Sequence, residues 1–202
     1  MQEIVISSRN KDKKRELKAL LKGLGVRVLD LNDFPSAPAV KETGKTFEEN
    51  AKLKALKIAR YTKRLTIADD SGLAVDALKG RPGVRSARFA GAGATYKDNN
   101  IKLLKLLRNV PAGKRRAKFV SAVAIAVPKG ILGTVRGECP GRITLEPKGK
   151  KGFGYDPVFY SPGFGKTFAE ISAPRKNSVS HRGRALRKAR AVILNFLRKG
   201  LS

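Results

Sequence analysis

The 202-residue chain has no tryptophan, one cysteine, one methionine and one histidine, and its 16 acidic residues face 44 lysines and arginines. A single thiol, Cys139, excludes an intramolecular disulfide, so burial and hydrogen bonding must hold the fold. His181 stands alone before an arginine, Cys139 has no partner nearby in sequence, and the full phosphate-loop pattern G-x-x-x-x-G-K-[ST] and the G-x-S-x-G elbow are both missing. Covalent catalysis by a protein nucleophile therefore has no constellation to rest on, and attack by water assisted by a metal is the simpler chemistry. No apolar run approaches the roughly 20 residues that span a bilayer, and the amino end runs into a short strand instead of a signal sequence. The expectation is a cytoplasmic protein with no membrane partner.

What is abundant is positive charge. The net charge is +28, and from Asn99 to Gly137 there is not one acidic side chain. Such a field draws polyanions with a steep salt dependence, so nonspecific nucleic-acid binding is expected. The basic residues are spread along the chain instead of forming an aromatic-interleaved stripe, and no RNP-like strand or zinc-knuckle spacing accompanies them. A solvated basic surface is the plainer reading. With 41% apolar residues and no linker, repeat or low-complexity tract, residues 1–202 read as a single domain.

Periodicity gives alternating strands and helices. Gln2 to Ser7 reads as a strand, and Ser8-Arg9-Asn10 leads into a helix with Leu17, Leu20, Leu21 and Leu24 on one side; Gly23 and Gly25 stop it before a strand from Val26 to Leu31. Thr46 and Glu49 form a capping box for a helix that ends near Tyr61 and carries Ala51, Ala55, Leu56 and Ala59. A short strand from Leu65 to Ala68 then delivers Asp69-Asp70-Ser71-Gly72 at its carboxyl end, where alternating α/β sheets place ligands. Further on come a helix near Asp98 to Leu107 with Ile101, Leu104 and Leu107 aligned, and an alternating strand through Phe119 to Val127. Pro128-Lys129-Gly130 turns that strand into another from Ile131 to Val135, and a last helix runs from about Ser180 to Leu197.

Two segments carry chemistry. Gly152-Phe153-Gly154-Tyr155-Asp156-Pro157 sets an aromatic ring between glycines, which lets backbone approach a flat ligand; Asp156 offers an acceptor, and His181 and Arg182 offer donors. A base-binding pocket is the natural reading. Asp69 and Asp70 cannot both point the same way from a strand, so one faces a metal while the other anchors the loop or positions water. Glu42 and Glu49 can add oxygen ligands, and magnesium suits so few carboxylates because phosphates and waters complete its octahedron. The same tetrad can equally be a polar Asx turn, with Glu49 only a cap and Glu42 only a solvated charge. Lys13 and the amides of Ser8 to Lys11, at a helix start, can receive phosphate oxygens.

Taken in order, these segments resemble the inosine triphosphate pyrophosphatase family over almost the whole chain. Ser8 to Lys13 is similar to its phosphate loop, Glu42-Thr43-Gly44 with Thr46 to Ala51 to its second motif, and Ile67 to Leu73 to its acidic motif; Gly152 to Pro157 and Ser180 to Ala185 complete the series. The resemblance implies an elongated α/β fold of two lobes, a central mixed sheet flanked by helices and an active-site cleft between the lobes. It implies a homodimer that hydrolyses noncanonical purine nucleoside triphosphates (ITP, dITP, XTP) to monophosphate and pyrophosphate, with magnesium as cofactor. Glu42 and Asp70 would be metal ligands, with Asp70 or Asp69 orienting or deprotonating the water. Ser8, Asn10, Lys13, Lys54 and Lys176 would hold phosphates or sugar, with Ser71, Gly154 and Tyr155 also at the substrate. Phe153 would stack on the purine, Asp156 would accept from its edge, and His181 with Arg182 would donate to the 6-keto oxygen.

The stretch from Ala90 to Lys97 departs from that pattern: alanine, tyrosine and lysine stand where surface acids are common. A surface shifted basic, by lineage or by engineering, leaves a second expectation, a variant of this fold that acts as a nucleic-acid-binding or charge-driven assembly protein.

Overall fold

Ile4, Val5 and Ile6 of strand β1 (Glu3–Ile6) are all fully buried, which a strand requires when its sheet is covered on both faces. In this computed structural model, which describes residues 2–199, β1 pairs in parallel with β2 (Arg27–Asp30) and with β3 (Leu65–Val75), setting Ile4 opposite Val28 and Leu65. Helices α1 (Lys11–Leu21) and α2 (Phe47–Thr62) make the connections that parallel strands need. Past α3 (Tyr96–Leu106), β4 (Arg116–Val127) and β5 (Gly130–Ile143) form a hairpin, and β6 (Phe159–Ser161) and β7 (Lys166–Thr167) add antiparallel strands. The seven strands form one mixed sheet in the order β2-β1-β3-β4-β5-β6-β7, and α4 (Ala173–Val179) and α5 (His181–Lys199) close the chain.

Contacts divide the chain into two compact units. The first takes the chain up to Asp70, Ser121–Gly137 and the chain from Arg182 on. Its sheet buries Ile4, Ile6, Ile67, Val123 and Ile125 against Leu17 of α1 and Leu186, Ala189 and Ile193 of α5. On the opposite face Val5 and Leu29 meet Ile58 of α2. The second unit, Ser71–Val120 with Glu138–His181, has its own core of Leu73, Val75, Leu103, Phe119, Phe159 and Phe168. There the Phe119 and Phe159 rings lie 4.4 Å apart, a close tilted contact, and Phe159 and Phe168 lie 5.0 Å apart, within the range of favourable tilted pairs. The chain passes between the units four times, each time inside β3, β4, β5 or α5.

Several boundaries differ from the sequence reading for identifiable reasons. Strand β3 continues to Val75, because Leu73 and Val75 are buried in the second core; Asp69 and Asp70 therefore lie inside a strand instead of at its end. Helix α3 begins at Tyr96, where Thr95 and Asp98 form a complete capping box, and it buries Asn99, Asn100 and Leu103 while Ile101 is 55% exposed. Thr46 caps α2 by accepting from the Glu49 amide at 3.1 Å, but the Glu49 carboxylate accepts from Lys45 at 2.6 Å, one residue outside the expected box. The side chain of Leu20 lies outside the described ones.

Asp30 fastens β2 to α1. Its carboxylate takes Lys14 at 3.2 Å, Lys18 at 2.9 Å and the Asn32 amide at 2.9 Å. Burial alone raises its pKa, but the bonds from Lys18, the Asn32 amide and Lys14 more than reverse this and bring it down to about 2. A carboxylate depressed in the folded state contributes stability that is present above its unfolded pKa and is lost as pH falls through the folded value. The expected loss is about 2 kcal/mol between roughly pH 4 and pH 2. Urea unfolding across that range should show the loss in the parent and a flatter profile in Asp30→Asn; parallel profiles would refute the assignment.

Candidate active site

In the first unit two carboxylates and one lysine converge beside the end of β1. Asp69 and Asp70 are neighbours on β3, so their side chains leave opposite faces of the sheet. Asp70 faces α2, where Lys54 donates to Asp70 Oδ1 at 3.1 Å, to Glu42 Oε1 at 3.0 Å and to the Asp69 carbonyl at 2.8 Å. An ammonium has three protons, and these contacts take all of them. Lys54 is thus a bracket that gathers Glu42 and Asp70 to one point. Asn50, one helical turn earlier, donates to Asp70 Oδ2 at 3.2 Å and accepts from the Gly44 amide at 2.8 Å, tying the Glu42 loop to the strand. Gly44 is needed there, because a Cβ would come within 2.7 Å of Asn50 Oδ1.

Asp69 faces the other way and is wholly enclosed. Its carboxylate pairs with Lys13 at 2.8 Å, lies 3.5 Å from Arg182 Nε and accepts from Ser121 at 2.5 Å. Arg182 also pairs with Glu16 of α1. Burial raises the Asp69 pKa, but Lys13, Arg182 and the Ser121 hydroxyl together hold it far below the carboxylate range. At Asp70 burial wins: its pKa is raised despite Lys54 and Lys13, and the negative charges of Glu42 and Asp69 add to the rise. At Lys54 burial is outweighed by Asp70, Glu42 and Asp69, and the pKa is raised. Of the adjacent acids, Asp69 is a locked anion, whereas Asp70 is a stronger base than an ordinary carboxylate.

The amino end of α1 completes this group. Asn10 is its N-cap and accepts from the Asp12 and Lys13 amides at 3.0 Å each, while Ser8 Oγ accepts from the Asn10 amide at 3.2 Å. Ser71 follows Asp70 as the first residue of the second unit and is half-buried.

The second unit carries an aromatic platform. Asp156 Oδ2 accepts from the Phe153 amide at 2.8 Å and pairs with Lys176 at 2.5 Å, both charged side chains being almost fully buried. The Lys176 ammonium lies 4.6 Å over the Phe153 ring, close enough for a cation–π contact. Gly152, at φ +74°, makes this loop possible, because a Cβ there would sit 2.1 Å from Asp156 Oδ2. Tyr155 turns inward and donates to the Ser86 carbonyl at 2.8 Å, and burial pushes its pKa up. His181 is buried with its ring stacked on Phe119, 4.7 Å between centroids at 14°.

The structure therefore gathers Glu42, Lys54, Asp69, Asp70 and Lys13 around β3, and Phe153, Asp156 and Lys176 around one loop. Asn10 serves as a helix cap, Tyr155 as a core residue, and Arg182 as the partner of Glu16 and Asp69. Glu16, Asn50 and Ser121 have no assigned role in the sequence reading. The available signals were an asparagine in the first turn of a helix and a serine within an apolar strand, both residue types that favour other settings.

Among the described residues no group of three or more His, Cys, Asp or Glu side chains is placed to hold a metal. The convergent Glu42–Asp70 pair still fits magnesium, which needs only one or two protein carboxylates when substrate phosphates and waters supply the rest.

These features define an α/β protein with a carboxylate–lysine centre on one strand and an aromatic–lysine platform on a glycine-flanked loop. The chain belongs to the Ham1 family, whose sequence pattern matches residues 4–192. It is 50% identical over 191 residues to a dITP/XTP pyrophosphatase of Desulforamulus reducens, covering 95% of each chain. It is 53% identical over 188 residues to a dITP/XTP pyrophosphatase of Geobacillus kaustophilus, covering 93% of this chain and 92% of the other. Among solved structures, a HAM1 protein from Coxiella burnetii superposes with a TM-score of 0.89 at 39% identity, over 96% of this chain and all of that one. The Ham1 protein of Staphylococcus aureus gives 0.85 at 38% identity, over 98% and 100%.

Proposed function

We propose that this protein hydrolyses noncanonical purine nucleoside triphosphates, dITP, XTP and ITP, to the monophosphate and pyrophosphate. The observation that carries the reading is the Lys54 bracket, which brings Glu42 and Asp70 together while Asp69, paired with Lys13, is held as an anion. Its support from relatives is the pair of dITP/XTP pyrophosphatases at 50% and 53% identity. Glu42 and Asp70 would hold magnesium, which when bound supplies positive charge against the phosphate oxygens. Asp70, or the adjacent Asp69, orients a water toward the α-phosphorus and takes its proton. Lys13 and the Ser8–Asn10 loop receive phosphate oxygens at the start of α1.

Phe153 takes the face of the base and Asp156 and His181 its polar edge, while Lys176, expected at the phosphates or sugar, lies over the Phe153 ring instead. Arg182 donates to Glu16 through Nη1, and a donor role toward the base falls to its other guanidinium protons. A 6-keto oxygen satisfies donors that the adenine amino group leaves unpaired. With this activity go a cytoplasmic setting and a homodimer, which light scattering reads directly. Nonspecific attraction of nucleic acid by the +28 charge weakens as salt rises.

The test is pyrophosphate release from dITP, XTP and dATP after nuclease treatment, in moderate salt. The expected kcat/KM for dITP and XTP exceeds that for dATP by at least about a hundredfold. Equal rates on all three would reject the base selection, and orthophosphate as the only product would reject the cleavage site.

A further inference from the structure

Helix α3 carries a second aromatic ring to the platform. Tyr96 and Asn100 are four residues apart and so share one face of the helix. Asn100 donates to the Gly154 carbonyl at 3.0 Å, fixing the helix to the loop that bears Phe153. From the same face the Tyr96 ring lies 6.0 Å from the Phe153 ring, tilted by 43°. The starting point of the helix is itself set, because the reciprocal bonds of Thr95 and Asp98 place Tyr96 at its first position. Despite its size Tyr96 is 42% exposed, whereas Asn100 is buried.

An aromatic side chain held beside another yet left open to water is poorly explained by packing, since a core role would bury it. We infer that Tyr96 is a specificity-determining residue, the second wall of the base site whose first wall is Phe153. This rests on the reading of Phe153 as the base platform. A planar base in contact with two rings needs about 7 Å between them, two contacts of about 3.5 Å. At 6.0 Å and a 43° tilt the two rings now touch each other, so a base enters between them when the exposed Tyr96 side chain swings aside into another rotamer. The ligand class is therefore a fused, flat heterocycle, and the larger the stacked surface, the more Tyr96 contributes. Because the tyrosine contacts the base and not the phosphates, its removal acts on affinity and leaves the chemical step alone.

The experiment compares Tyr96→Leu and Tyr96→Phe with the parent, reading KM and kcat for dITP and the inhibition constant of inorganic tripolyphosphate, which has no base. Leucine at an exposed helical position is at least as good a helix former as tyrosine, so the variant is expected to fold. Tyr96→Leu should raise KM for dITP about tenfold, with kcat within about twofold and tripolyphosphate inhibition unchanged, while Tyr96→Phe stays near the parent. An unchanged KM in Tyr96→Leu, or an equal weakening of tripolyphosphate, overturns the inference. Phe153→Leu, run alongside, separates the two levels: if it raises KM while Tyr96→Leu does not, only the second wall is lost, and if neither raises it, the base-platform reading fails as well.

Discussion

Asp70→Asn is expected to lower kcat by about a hundred- to ten-thousandfold while leaving the protein folded. Asparagine keeps the shape of aspartate and one acceptor oxygen, which serves Lys54, while its NH2 takes the place of Oδ2 and gives up the bond from Asn50; the Lys54 bracket around Glu42 survives. What disappears is the basic lone pair and one negative charge. Removing a charge that burial, Glu42 and Asp69 all disfavour costs the fold little. Asp69→Asn should give the opposite pattern. That carboxylate compensates Lys13 and Arg182 in an enclosed setting, and its loss leaves them underpaired, at about 3–5 kcal/mol of stability. Steady-state kinetics and urea unfolding on both variants check the division. Near-parental turnover in Asp70→Asn would remove it from the water-activating role, and a large loss of stability in that variant together with none in Asp69→Asn would invert the assignment.

The two acids also mark how far the sequence could be read. Their motif was legible, as were the alternation that sends them to opposite faces and the helices that flank them. Their separate duties were not, because those depend on partners at residues 13, 121 and 182 for Asp69 and at 42, 50 and 54 for Asp70, and no local pattern pairs such positions. Lys54 shows the same limit: the family resemblance gives it only as a phosphate or sugar contact, and its three acceptors reveal a structural bracket. The extent of β3 was misread because local apolar content marks a strand but not the second core that prolongs it through Leu73 and Val75. Tyr155, read as a substrate contact, turns into the core because Ser86 offers its hydroxyl an acceptor there. The aromatic loop was legible for the converse reason, since Gly152, Phe153 and Asp156 are close in sequence and their contacts are local.

Lys176→Met is expected to destabilise the protein by about 3–5 kcal/mol and to raise KM for dITP as well. The Asp156–Lys176 pair is among the most enclosed ion pairs described, with side chains 2% and 5% exposed. Removing the ammonium takes the counter-charge from the buried Asp156 while its bond from the Phe153 amide remains, and a buried carboxylate that loses its paired cation is costly. Asp156→Asn alone strands Lys176 in the same way. The double variant Asp156→Asn/Lys176→Met should recover much of the loss, because neither charge then remains in the interior, and a strongly positive coupling in that double-mutant cycle is the signature of the pair. Recovery of stability should not restore substrate affinity. Phe153 keeps an acceptor for its amide in the asparagine oxygen but loses the cation 4.6 Å from its ring centroid, so its contact with the base stays weakened after the fold is repaired. Chemical unfolding of the three variants with KM measured on each decides the matter: additive stabilities would deny the coupling, and parental KM in the stable double variant would place the pair in the scaffold alone.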